Sequence, residues 1–199
     1  MWTGLVFAGG GSERMGRDKA LVPLAGRTLL DRAVAILREA GGEPLVLGPP
    51  RETPGMAGVR FLDEAADGSE RQGPLLALQH GLRACATRVV VALACDLPLV
   101  PPGLLRYLAA EGENHAAVVP RARGELQVLA AAYSSACLEV IERRLASGRL
   151  SLHGFLGEVA VRLVEGDELL PFGGEDVFLN VNTPDDLAQA ERFLAARKA

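Results

Sequence analysis

Several things are scarce in this chain of 199 residues. No apolar stretch is long enough to span a bilayer, and the N-terminus has no basic segment followed by an apolar run and a cleavage site. A spanning helix and a secretory leader are therefore not expected, and the expected location is cytoplasmic. The cysteines Cys85, Cys95 and Cys137 lie far apart and form no CxxC. Such spacing argues against a zinc site, a disulfide framework or a redox centre, and for buried reduced thiols. The net charge of −4 gives no basic surface for nucleic acid or membrane, so any anionic ligand must be held by a local site. His80, His115 and His153 have no matching nucleophile and acid, so no Ser/His/Asp set is present. Lysine is scarce as well: of 21 Lys plus Arg, only Lys19 and Lys198 are lysines.

Hydrophobic residues make up 49% and charged residues 23% of the sequence. That is an ordinary globular balance, and a chain of this length buries roughly 70% of its unfolded surface. Apolar runs at Trp2–Phe7, Pro44–Leu47, Val59–Leu62 and Arg88–Ala94 read as strands, the last buried on both faces. Ala116–Pro120, Gln127–Tyr133 and Val159–Val164 read as further strands. Helical spacing covers Arg27–Ala40, Gly73–Ala86, Pro101 to about Ala110, Ser134–Ser147 and Pro184–Ala196, with Thr183 as an N-cap. Thr53–Gly58 and Glu165–Asp176 read as surface loops. Alternation of strands and helices predicts an α/β fold: one three-layer domain over residues 1–199, with a mostly parallel, Rossmann-like sheet.

Three segments carry chemistry. The first strand runs into Ala8-Gly9-Gly10-Gly11-Ser12-Glu13-Arg14-Met15-Gly16-Arg17-Asp18-Lys19. Glycines at a strand's carboxyl end admit a ligand close to the backbone, and free N–H groups cradle phosphate. Arg14 and Lys19 add positive charge. The spacing fits neither GxxxxGK[ST] nor GxGxxG with a following ribose-binding acid. A compact ammonium at position 19, in a chain that otherwise writes arginine, is a chemical choice, because a guanidinium is a broad planar fork. The second segment is Cys95-Asp96-Leu97-Pro98, which closes the buried strand. A carboxylate there can hold Mg²⁺ bridged to nucleotide phosphates. In the third, Val177 to Asp186, Asn180 and Asn182 alternate along what reads as a strand end before a capped helix. One can reach a ligand while the other ties down the loop.

Together these segments resemble the molybdenum cofactor guanylyltransferases. The family pattern L-A-G-G-x-S-x-R-M-G-x-D-K-A-L stands here as Phe7 to Leu21. G-P-L stands as Gly73-Pro74-Leu75, C-D-x-P as Cys95 to Pro98, and N-V-N-T-P as Asn180 to Pro184. The resemblance implies a GTP–Mg²⁺ site and transfer of GMP to the terminal phosphate of molybdopterin, with pyrophosphate leaving. It implies that the backbone of Phe7, Ala8 and Gly9, with Gly10 beside them, holds the guanine end. Lys19 would meet the phosphates, with Arg14 assisting. Asp63 matches a nucleotide-binding acid, Asp96 would bind Mg²⁺, and Asn180 and Asn182 match positions tied to the pterin side. It also implies transient contact with molybdenum insertion proteins or molybdoenzyme chaperones. Arg149 to Gly157 falls in the region expected to face the acceptor. Two positions depart from the pattern: Gly48 where a polar residue is usual, and Gln127-Val128-Leu129 where the middle residue is usually proline.

Other readings share parts of this pattern. A cytidylyltransferase acting on the same pterin usually reads A-A-G at Ala8-Gly9-Gly10 and lacks an acid at position 18. A sugar-1-phosphate nucleotidyltransferase is generally longer, with a larger sugar-binding insert. A silent nucleotide-binding module would have no reason to keep both Lys19 and Asp96.

Overall fold

A computed structural model of the chain describes residues 1–8, 18–63 and 73–196. Gly9, Gly10 and Arg14 lie outside the described residues. β1 (Thr3–Phe7) is buried throughout. A short hairpin follows, β2 (Pro23–Leu24) and β3 (Arg27–Thr28), which the sequence reading did not anticipate. α1 (Leu29–Glu39) begins where the Thr28 hydroxyl accepts the Asp31 N–H, so the expected start at Arg27 moves two residues inward. β4 (Glu43–Leu47), β5 (Arg60–Leu62), α2 (Pro74–Ala84), β6 (Val89–Ala94) and α3 (Pro102–Gly112) then follow.

The second half is β7 (Ala117–Ala122), β8 (Glu125–Leu126), β9 (Ala130–Ser134), α4 (Leu138–Ala146), α5 (Leu152–Leu156), β10 (Val161–Val164) and α6 (Pro184–Ala196). Several sequence expectations are corrected here. The strand expected from Gln127 starts only at Ala130, because the Gln127 N–H extends the β7–β8 ladder to Pro120 O (2.8 Å) and the Ala130 N–H then closes a turn on Gln127 O (2.9 Å). The helix expected from Ser134 opens with a separate tight turn at Ser135–Cys137. Thr53–Gly58 and Glu165–Asp176 are largely short 3₁₀ turns, which bury Met56 and Leu169. Val177 to Asn182 is no strand end: Gly174–Phe178 is a 3₁₀ turn, and only the Val181 N–H reaches the sheet edge, at Asp96 O (2.9 Å).

The main sheet runs β10-β7-β9-β6-β1-β4-β5. β1 pairs in parallel with β4 and β6, β4 with β5, and β7 with β10, whereas β9 is antiparallel to both neighbours. The mostly parallel α/β fold expected from the alternation is what forms. Side chains alternate across it. Val6, Val89, Val91 and Leu93 face a core shared with α1 and α3, while Leu5, Phe7, Val90 and Ala92 face one shared with α2, α4 and α5. Each fully buried aliphatic side chain contributes roughly 1.5–3 kcal/mol, so the run Val89–Ala94 is a principal stabilising element.

α3 packs tightly enough to predict an effect. A Cβ on Gly112 would lie 2.9 Å from Val89 Cγ1 and 3.3 Å from Ala132 Cβ. Neither neighbour yields, since valine is locked at χ1 and alanine has no torsion to turn. Gly112→Ala gains up to ~1 kcal/mol of helix propensity. Overpacking nevertheless costs more, and a net loss of about 1–2 kcal/mol is expected in a urea titration.

Candidate active site

The chain turns one way from β1 through β4 to β5, then returns to the other side of β1 as β6. Ligands in open α/β sheets bind at the carboxyl ends of the strands beside such a reversal. Ala8 leaves β1 there, and Cys95-Asp96 leaves β6. The two strand ends are joined by Cys95 N–H to Phe7 O at 3.2 Å, and Ala8 N–H bonds to Leu47 O at 3.2 Å. The carbonyl of Ala8 also accepts from Arg51 Nη2 at 3.1 Å. Phe7 O and Ala8 O each have two lone pairs, and each accepts one of these bonds at the edge where β1 and β6 end.

Lys19 stands at the centre. Its Nζ lies 2.6 Å from Asp96 Oδ2 and 2.6 Å from Asn182 Oδ1, joining residues 77 and 163 positions away. The ion pair is about four-fifths shielded, with side-chain exposures of 20% and 21%. Asp96 Oδ1 is buried and has no hydrogen-bond partner. A buried carboxylate oxygen left unpaired is costly, and it commonly marks a place where a ligand or ion completes the site.

Local structure fixes each of these groups. Asp18 accepts the Ala20 N–H at 3.1 Å and caps the short turn Lys19–Leu21. Asp186 accepts from the backbone N–H of Asn182 (2.9 Å) and Thr183 (2.8 Å), while the Thr183 hydroxyl accepts from Asp186 N–H at 3.2 Å. This reciprocal cap starts α6 and holds Asn182 in place, with Thr183 in the expected capping role. The Asn182 N–H, followed by the Thr183 hydroxyl and then the Thr183 N–H, holds the Asp186 carboxyl below its usual range. Beside Asp96, burial and then the Asp96 charge push the Cys95 thiol up to about 12, so it is a neutral wall and not a nucleophile.

Asn180 and Asn182 take different partners. Asn182 ties down Lys19, whereas Asn180 lines a cavity of about 380 Å³ that opens beside Asp96. Gln127, Val128 and Leu129 line it too, because they form the turn before β9 and not the start of a strand. Arg123 lies on its rim at the tip of the β7–β8 hairpin, paired with Asp176 at 2.6 Å. None of residues 149–157 is part of this lining. Arg149 instead pairs with Glu158 at 2.6 Å, and Leu152, Phe155 and Leu156 are buried under the sheet. Asp63 directly follows β5 and is half-buried. His115 bonds to Glu111 O within its own segment. Among the described residues no group of three or more His, Cys, Asp or Glu could hold a metal. Magnesium carried on nucleotide phosphates requires only one or two carboxylates, which is what Asp96 offers.

Sequence reasoning missed Arg51. Its guanidinium lies 2.6 Å from Asp18, 33 residues away, and nothing in the local sequence signals that pairing.

A glycine-led strand end, a lysine and a strand-end aspartate at the reversal point of a parallel sheet define an α/β nucleotidyltransferase. The chain belongs to the MobA-like NTP transferase domain family, whose model matches residues 4–161. It is 36% identical to a protein of Opitutus terrae named "Probable molybdenum cofactor guanylyltransferase", over 95% of this chain and 94% of the other. It is 30% identical to the molybdenum cofactor guanylyltransferase of Desulfosudis oleivorans, over 98% and 96%. The crystal structure of molybdopterin-guanine dinucleotide biosynthesis protein A from Archaeoglobus fulgidus superposes with a TM-score of 0.78 at 25% identity, covering 98% of this chain and 100% of that one. No helix among the described residues is long and apolar enough to cross a membrane.

Proposed function

We propose that the whole chain acts as one nucleotidyltransferase domain that moves GMP from GTP to the terminal phosphate of molybdopterin. The observation that carries this reading is the Lys19–Asp96–Asn182 cluster, with one carboxylate oxygen buried and unpaired beside a cavity. The names borne by relatives over nearly the whole chain support the choice of nucleotide and acceptor.

GTP lies over the ends of β1 and β6, its base toward Phe7, Ala8, Gly9 and Gly10, with Asp63 on its nucleoside side. The acceptor occupies the neighbouring cavity, where Asn180 meets the pterin side. An acceptor phosphate oxygen attacks the α-phosphorus, the bond to the bridging oxygen breaks, and pyrophosphate leaves. The acceptor is already anionic, so the step needs alignment and charge neutralisation more than a general base. Asp96, through its unpaired Oδ1, would hold Mg²⁺, which supplies positive charge to the phosphate oxygens. Lys19 offsets negative charge developing on the departing pyrophosphate, and Arg14, proposed from sequence alone, adds to it. Asn182 keeps the Lys19 ammonium from collapsing onto Asp96 alone. A cytoplasmic location and transient hand-over contacts with molybdenum insertion proteins or molybdoenzyme chaperones complete the proposal.

Nucleotide choice is tested by thermal shift with Mg²⁺ and GTP, CTP, ATP or UTP, because a ligand bound to the native state raises its apparent stability. GTP should raise the melting temperature most. An equal or larger shift with CTP would move the assignment to cytidylyl transfer.

A further inference from the structure

Arg51 is buried beside the site, and none of the steps above uses it. It follows Gly48-Pro49-Pro50. Gly48 has φ 133°, a conformation that favours glycine, and its N–H bonds to Leu62 O at 2.8 Å. A polar side chain at that position would sit on a strained backbone. The chain bends at Gly48–Pro49, the prolines fix φ there, and the bend leads the chain back toward β1. The polar group at this edge comes three residues later.

The Arg51 side chain is only 9% exposed. Its Nε donates to Asp18 Oδ2 at 2.6 Å, Nη1 to Pro49 O at 3.2 Å, and Nη2 to Ala8 O at 3.1 Å and Asp18 Oδ1 at 3.4 Å. Every guanidinium nitrogen is committed to a protein acceptor, so Arg51 is not presented as a phosphate ligand. Its partners are the last described residue after β1 and the residue just before Lys19. Asp18 in turn caps the turn that carries Lys19.

We propose that Arg51 is a positioning residue for nucleotide binding: it fixes Ala8 relative to Asp18, and so sets how Lys19 meets the phosphates. The inference rests on the GTP reading above. It also gives Asp18, whose carboxylate accepts from Arg51 and the Ala20 N–H, a role that acts through Lys19. The planar fork spreads its donors across a carboxylate and two carbonyls, a span wider than the three donors on lysine's compact ammonium cover.

The test is GTP affinity together with kcat and the KM of each substrate, for wild type, Arg51→Met, Arg51→Lys, Asp18→Asn and the Arg51→Met/Asp18→Asn double variant. Arg51→Met should raise KM for GTP by about tenfold, with KM for the acceptor unchanged, because misplacement acts on one substrate's contacts. Arg51→Lys should recover only part of the loss, and the double variant should be no worse than Arg51→Met alone. In a further variant, Arg51→Ala, which leaves room for a free guanidinium ion, added guanidinium chloride at non-denaturing concentration should partly restore GTP affinity. A lowered melting temperature with unchanged KM for GTP in Arg51→Met would show a merely structural pair and overturn the proposal. So would an Arg51→Met variant with wild-type constants. Absence of GTP binding by the wild type would overturn the underlying reading and this proposal together.

Discussion

Asp96→Asn should lower turnover by about two to three powers of ten, the scale of losing a key electrostatic stabiliser at a reacting centre, while the protein stays folded. The fold should survive because the backbone of Asp96 does the structural work. Its carbonyl accepts the Val181 N–H at 2.9 Å, and the Asn side chain has the same shape. What changes is charge. Oδ2 is the anionic partner of Lys19, and Oδ1 is buried without a partner of its own. An amide in that place offers a neutral oxygen and an N–H₂ where an acceptor for a cation is required. The partly shielded Lys19 ammonium also loses the Asp96 charge, so it should meet GTP phosphates more strongly in the ground state. KM for GTP is therefore expected to fall or hold steady while kcat collapses. Such a split indicates loss of an interaction made in the transition state and not of uniform binding. The measurement is kcat and KM for GTP at several Mg²⁺ concentrations, with a melting curve for each protein. Near-normal turnover, or a wild-type Mg²⁺ dependence, would remove Asp96 from the metal-binding role.

Much of the fold was legible because period and burial agree locally. The apolar run Val89–Ala94 has no polar position, and it forms a strand buried on both faces. Pro184 to Ala196 has a cap before it and an apolar spacing within it, and the helix forms over that span. Legibility failed where non-local bonds decide. Val128 and Leu129 continue the apolar run of β9, yet the bond from Ala130 N–H to Gln127 O closes them into a turn that lines the cavity. α5 is only five residues long and gives too little periodicity to read, although Phe155 is fully buried. At the site, Asn180 and Asn182 read as a strand end, yet they lie in irregular chain between a 3₁₀ turn and α6. The convergence of Lys19, Asp96 and Asn182 could not be read from any one segment, since the sheet reversal brings together residues from both ends of the chain. Arg51 shows the same limit more sharply, because its partners Ala8 and Asp18 lie on elements that meet only after β4 has paired with β1.

Lys19→Arg should keep most GTP affinity and lose more of the turnover. The charge is retained, so long-range attraction for phosphates remains. The geometry is not. Nζ now sits 2.6 Å from two acceptors on different elements, one on the loop after β6 and one just before α6. A point charge on a flexible stem satisfies both and can follow an oxygen as charge moves from the α-phosphate to the departing pyrophosphate. A guanidinium is wider and presents its donors in one plane. To fit, it must displace Asp96 or Asn182, or pair with Asp96 in a two-pronged contact that leaves less for substrate. KM for GTP is expected to rise about threefold and kcat to fall about tenfold, because misplacement counts most when bonds are changing. Lys19→Ala should lose both, with turnover down by about two to three powers of ten. The Asp96 carboxylate would then stand without its cation against incoming phosphates. All three proteins are compared at saturating acceptor, and melting curves confirm that each is folded. If Lys19→Arg matches wild type in both constants, positive charge alone suffices at position 19, and the scarcity of lysine elsewhere in the chain is a matter of composition with no bearing on the chemistry.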